Sequence, residues 1–235
     1  MRKIVILNSK GGCGKTTLAT NLASYFAGQG LATALLDHDP QGSSMRWLSL
    51  RPENKAPIYG IAAYERQRSD VTRSWQMRVP SDTRRMIIDA PAGVSGIQLY
   101  EYVRTADTIV IPVLPSPIDI HAVSRFVQDL LLTGKARAFD VRLAVVANRV
   151  KPNTLVFQAL ERFLRSLKYP FIAQLRDTQN YVRAAEQGVG IHDLEGNRVA
   201  KDRDQWRPLI EWIESIEEPQ PQVRPLAPVR RVAPS

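Results

Sequence analysis

An α/β doubly wound fold, a mostly parallel sheet with helices on both faces, is predicted by three features of this chain. Its apolar segments are short and continuously apolar rather than alternating, as strands buried on both faces must be. Helical patterns separate them, which is the alternation of a parallel sheet. The first apolar run empties into a glycine turn, KGGCGKTT at residues 10–17, that opens a helix. Strand, glycine loop and helix in that order are the setting of a phosphate-binding loop.

The strands are read at Ile4 to Leu7, Thr33 to Leu36, Met86 to Ile88, Thr108 to Val113, Leu143 to Ala147 and Phe171 to Leu175. The first helix is read from Thr16 to Gln29, closed by Gly30. Further helical stretches fall near 95–105, 118–133, 153–167 and 178–187. Residues 43–85 are the least regular part and are read as short helices and loops. A last amphipathic helix is expected over 202–217, with Leu209, Trp212, Ile213 and Ile216 on one face. Residues 1–217 then form one domain, and residues 218–235 a disordered Pro/Arg-rich tail. From Pro219 onward the chain has five prolines, three arginines and no acid, so it cannot pack a core.

Composition bounds the function. The 235 residues are about one and a half typical domains, so one larger domain is expected. Cys13 is the single cysteine, which excludes a disulfide framework and any cysteine cluster built within one chain. His38, His121 and His192 lack ligand spacing, which argues against a metal site of protein side chains alone. No apolar run approaches the roughly 20 residues of a membrane span, and the start lacks a signal-peptide cleavage site, so a cytoplasmic location is expected. Lys and Arg number 32 against 23 acids, a formal charge of +9. Such a surplus favours polyanions, nucleic acid or an anionic membrane surface.

The loop residues carry specific chemistry. Gly11, Gly12 and Gly14 let backbone N–H groups curl around a phosphate. The helix N-terminus adds partial positive charge. Lys15 suits the β- and γ-phosphates, the Thr16 hydroxyl suits Mg²⁺, and Thr17 falls where a hydroxyl meets the α-phosphate. Cys13 fills the variable loop position. The common loop begins with glycine; here Ser9 stands in that place and a second lysine, Lys10, follows it.

With KGGCGKTT, the sequence resembles the ParA/MinD superfamily of deviant Walker ATPases, whose loop reads KGGxGK[ST]. The resemblance covers residues 3–217. It continues in DHDPQGS (37–43), IIDAPAG (87–93), ADTIVIPVLPSPID (106–119) and AVVANRV (144–150). It implies that Lys10 is the signature lysine that crosses a dimer interface to the other subunit's nucleotide. It implies that Asp39 helps organise the attacking water and the first switch and belongs with Thr16 and Asp89 to the Mg²⁺ site, that Asp89 holds Mg²⁺ through water, and that Asn148 reads adenine. The second switch falls at about 90–96, with Pro91 but Ala92 where the family often has a second proline. Lys151 stands where a guanine reader would need aspartate, which favours ATP over GTP.

The family resemblance implies an ATP-dependent homodimer with weak intrinsic hydrolysis, stimulated by an adaptor protein. It further implies nonspecific binding to double-stranded DNA and the movement of a plasmid, chromosome region or protein assembly such as a carboxysome over the nucleoid. Basic residues gather late in the chain, at Arg162, Arg165, Lys168, Arg176, Arg183, Arg198, Lys201, Arg203 and Arg207, with Arg183 and Lys201 as the candidate DNA contacts. Two other outputs exist among relatives. A membrane-surface positioning ATPase would need an amphipathic C-terminal helix, which a proline-rich tail cannot form. Synthetases of the dethiobiotin and cobyrinate kind share the fold but do not generally carry the signature lysine.

Overall fold

The computed structural model describes residues 1–64, 79–132, 134, 136–166 and 170–215. The expected tail, Ile216, Lys168 and residues 65–78 of the irregular stretch lie outside them. Seven strands make one sheet: β1 (Arg2–Ile6), β2 (Thr33–Asp37), β3 (Tyr59–Ala62), β4 (Arg85–Asp89), β5 (Thr108–Val113), β6 (Arg142–Val150) and β7 (Phe171–Arg176). Their order is β3-β2-β4-β1-β5-β6-β7, and every pairing is parallel. Six strands fall where the apolar runs put them. β3 corrects the reading of 43–85 as helices and loops only. It is a four-residue edge strand that buries only Ile61, so it carries no apolar run to announce it.

The helices are α1 (Lys15–Gly28), α2 (Ser43–Ser49), α3 (Gly96–Thr105), α4 (Pro117–Leu132), α5 (Leu155–Ser166), α6 (Gln179–Glu186) and α7 (Ala200–Glu214). They cover both faces. Val5 of β1 and Leu7 just after it pack with Leu99, Phe126 and Leu160 from α3, α4 and α5. Ile4 and Ile6 pack on the opposite face with Leu22 and Phe26 of α1, Trp47 of α2, and Trp206 and Leu209 of α7. Of the expected α7 face, Leu209 and Ile213 are fully buried and Trp212 packs at the margin, while Trp206 is the largest fully buried side chain among the described residues.

Charge seals the lower end of the sheet. Arg2 and Arg85, which begin β1 and β4, both pair with Glu214 at the end of α7, at 3.1 and 2.6 Å. Arg142, which begins β6, stacks over the Trp212 ring at 4.1 Å. With α7 fixed there, the upper end of the sheet stays open around β1. In an open α/β sheet, ligands bind beyond the carboxyl ends of the strands, where the chain turns to opposite sides. Here that point is β1, which is followed by β2 on one side and flanked by β5 on the other.

Candidate functional site

Past β1 the chain makes a turn that only its own residue types permit. Gly14 adopts φ 96°, and a Cβ there would lie 2.0 Å from the Asn148 side-chain nitrogen. Gly12 is also left-handed, at φ 75°. Gly11 is different: a Cβ there would meet Ala92 at an ordinary 3.9 Å, so its glycine is not required by the loop's own packing.

Asn148, at the end of β6, braces this turn. It is 3% exposed, and its Nδ2 donates to the Cys13 carbonyl at 2.9 Å while its Oδ1 accepts the Arg149 N–H at 3.0 Å. These contacts use one of the two amide hydrogens. Asn8 braces the other side, donating to the Pro112 carbonyl at 2.7 Å and accepting the Lys10 N–H at 3.0 Å. Sequence reasoning passed over Asn8, because its partners lie on β5 and in the loop.

The loop's cations and hydroxyls follow. Lys15 is 6% exposed and its Nζ donates to the Lys10 carbonyl at 3.1 Å. Lys10 itself is half-buried. Thr16 and Thr17 head α1, whose first turn has no side-chain cap, so its N–H groups and positive end face the loop. Cys13 is fully buried with its thiol on the Lys10 carbonyl at 3.3 Å, and burial pushes the thiol up. It is a small filler.

The carboxylates divide their work. Asp37 and Asp89 end β2 and β4 and are register partners across the sheet. Asp37 is fully buried and accepts the N–H groups of Asp39, Ser44 and Met45 at 3.0, 2.9 and 3.2 Å. It therefore caps α2 at the residues where an N-cap side chain would bind. Burial raises its carboxyl, and these N–H bonds oppose the rise. Asp89 is 1% exposed and accepts the Ser44 hydroxyl on Oδ2, while Oδ1 has no hydrogen-bond partner among the described residues. Burial pushes Asp89 up to about 6, and the hydroxyls of Ser44 and Thr16 hold it below what burial alone would give. A buried carboxylate oxygen without a partner, beside the Thr16 hydroxyl, fits a hard divalent cation. Asp39 is half-buried and its Oδ1 accepts the Gln41 N–H at 3.0 Å, which shapes the loop after β2. Among the described residues no hydrogen bond joins Asp39 to Thr16 or Asp89.

The loop after β4 docks on the phosphate loop through the Gly93 N–H and the Ser9 carbonyl, at 2.9 Å. His38, in the loop after β2, meets Tyr102 of α3 at 2.9 Å. Burial lowers His38 to about 4, so its ring is neutral.

The late basic residues do not form one set. Arg183 on α6 and Lys201 on α7 are exposed, as are Arg162 and Arg198. Arg176 is not free for a polyanion: two of its guanidinium nitrogens, Nε and Nη2, bind Asp202, which is fully buried and also accepts Asn180 at 2.6 Å. Arg203 donates to the Leu194 carbonyl at 3.2 Å, and Arg165 and Arg207 pair with Glu161 and Asp204 at 2.9 and 3.6 Å. No helix of the described residues is long and apolar enough to cross a membrane.

A parallel α/β sheet with this loop at the end of its central strand defines a P-loop nucleotide-binding domain. The chain belongs to the CobQ/CobB/MinD/ParA nucleotide binding domain family, whose model matches residues 4–191. It is 29% identical over 216 residues to the maintenance of carboxysome distribution protein A of Gloeobacter kilaueensis, covering 91% of this chain and 94% of that protein. The protein of the same name from Halothiobacillus neapolitanus is 26% identical over 192 residues, covering 81% of this chain and 87% of the relative. A variant of McdA from Cyanothece, solved in complex with ATP, shares the fold at a TM-score of 0.66 and 17% identity, over 93% of this chain and 98% of that one.

Proposed function

We propose that this ParA-like ATPase is an ATP-dependent dimerisation switch. Its ATP-bound dimer binds double-stranded DNA without sequence preference and positions cargo over the nucleoid, in the cytoplasm. Hydrolysis is slow and is stimulated by an adaptor protein. The carrying observation is the paired-lysine loop: Lys15 Nζ sits on the carbonyl of Lys10, at the mouth of a turn braced by Asn148. The relatives named for carboxysome distribution support a protein assembly as the cargo.

In this reading Lys15 leaves the Lys10 carbonyl to meet the β- and γ-phosphates, and the N–H groups of residues 11–17 cradle them. Asp89, whose Oδ1 has no partner among the described residues, and Thr16 would hold Mg²⁺, and Asp39 lies on the loop beside them. The ion would supply charge neutralisation on the phosphates when bound. Asp39 orients the attacking water. Asn148 offers its second amide hydrogen to adenine, and Thr17 meets the α-phosphate. Lys10 reaches across to the partner subunit's nucleotide. Two lysines from two chains on one phosphate chain give the differential affinity a dimerisation switch needs.

The test compares two variants of the full chain. Lys15→Ala is expected to lose binding of a fluorescent ATP analogue. Lys10→Ala is expected to keep that binding and to stay monomeric with ATP by light scattering. Normal ATP binding and dimerisation in both variants would overturn the site assignment.

A further inference from the structure

The loops after β2 and β4 bracket the nucleotide site, and a side-chain bond joins one to the helix that follows the other. His38 Nδ1 lies 2.9 Å from the Tyr102 hydroxyl, with the two rings 5.5 Å apart and tilted at 51°. His38 stands between Asp37 and Asp39, and its own N–H is held by the Asp89 carbonyl at 3.0 Å. Tyr102 is 6% exposed and lies on α3, which starts directly after the loop of residues 90–95. Packing alone does not account for this pair. The other ring nitrogen, Nε2, is buried with no partner among the described residues, a cost that an apolar side chain would avoid.

We propose that His38 is a positioning residue, and that its bond to Tyr102 carries the state of the Asp39 loop to α3. The mechanics follow from what is fixed and what is not. The backbone of His38 is anchored to β4, so a shift at Asp39 pivots about that anchor and acts on the side chain. The second loop rests on the phosphate loop by the Gly93–Ser9 bond, next to the residues a nucleotide meets. The latch therefore makes the two loops respond together. α3 also carries Ile97, 83% exposed in its first turn, so a movement of this helix changes an apolar surface beside the site.

The proposal rests on the reading that ATP binds at the loop of residues 10–17. Hydrogen exchange on the full chain, with and without ATP and Mg²⁺, tests it. ATP is expected to slow exchange in residues 37–43 and 96–105 of the wild type. Tyr102→Phe keeps the ring and removes the hydroxyl; it is expected to keep the response in 37–43 and lose that in 96–105. His38→Asn places a polar atom where Nδ1 stood and is expected to keep both responses, whereas His38→Leu loses the second. In Tyr102→Phe, kcat for ATP is expected to fall about fivefold, the factor a neutral hydrogen bond is worth, with KM unchanged. A purely structural bond would instead lower the melting temperature and leave the α3 response to ATP in place. That result, or a wild type that responds in 37–43 but not in α3, overturns the latch. A wild type with no ATP response anywhere overturns the nucleotide reading instead.

Discussion

Asn148 and Gly14 form a complementary pair: the side chain of one occupies the space the other lacks. Asn148→Ala would leave the Cys13 carbonyl without its donor in a buried place, a loss of about 1–3 kcal/mol. The expected outcome is a small fall in melting temperature and a large fall in ATP affinity, read by thermal melts and by titration with a fluorescent analogue. The turn between β1 and α1 that gathers the loop glycines, both lysines and both threonines was legible in the sequence because it lies in one contiguous segment whose chemistry is local. Asn8 and Ser44 were not. Asn8 acquires its role from a carbonyl on β5, and Ser44 from a carboxylate on β4. Neither partner is near in sequence. Arg176 failed for the same reason: as a residue it is a basic surface candidate, and only the buried Asp202 makes it structural.

At the scale of elements, α2 depends on a strand. It is seven residues long, begins after a left-handed Gly42, and has no cap of its own; Asp37 at the end of β2 supplies it. Asp37→Ala is expected to cost about 1–2 kcal/mol as a lost cap and to displace Ser44 from Asp89. Circular dichroism melts measure the first effect, and the Mg²⁺ dependence of ATP binding the second. A second prediction concerns the joint of α1, the turn Ile191–Asp193 and α7. His192 lies there between Tyr25 and Trp206, at 4.8 and 6.3 Å between ring centroids. Burial first, and then the Arg203 charge, lower it to about 4, against the opposing pull of Asp193. The unfolded chain binds this proton at about pH 6.5. Stability from this group is therefore complete above pH 6.5 and is lost as pH falls toward 4, reaching about 3 kcal/mol. His38 acts in the same window. His192→Phe is expected to flatten the fall in melting temperature between pH 6.5 and 4, and an unchanged slope would contradict the assignment. Strands β1, β2, β4, β5 and β6 were legible because each buries both faces, and the edge strand β7 because Phe171, Ile172, Ala173 and Leu175 still mark it; β3, on the other edge, buries only Ile61 and was not.

For the whole molecule, two different uses of charge coexist. Arg2, Arg85 and Arg176 close the fold on Glu214 and Asp202, while Arg183 and Lys201 stand exposed on α6 and α7. The net charge of +9 is thus not a map of a binding surface. Replacing Arg183 and Lys201 together with alanine is expected to weaken DNA binding across all sequences and to reduce its salt slope by about two, one per phosphate contact. Filter-binding titrations at several salt concentrations measure that slope. Arg176→Ala should instead destabilise the fold, since it strips a buried carboxylate of its partner.

The most direct measurement is the binding of random-sequence duplex DNA by the full chain with ATP, with ADP and without nucleotide, at two salt concentrations. Asp39→Ala would serve as the ATP-trapped form. Salt-sensitive binding that appears with ATP alone and persists in Asp39→Ala is the predicted result. Equal binding in all three states, or none in any, would contradict a nucleotide-controlled hold on DNA.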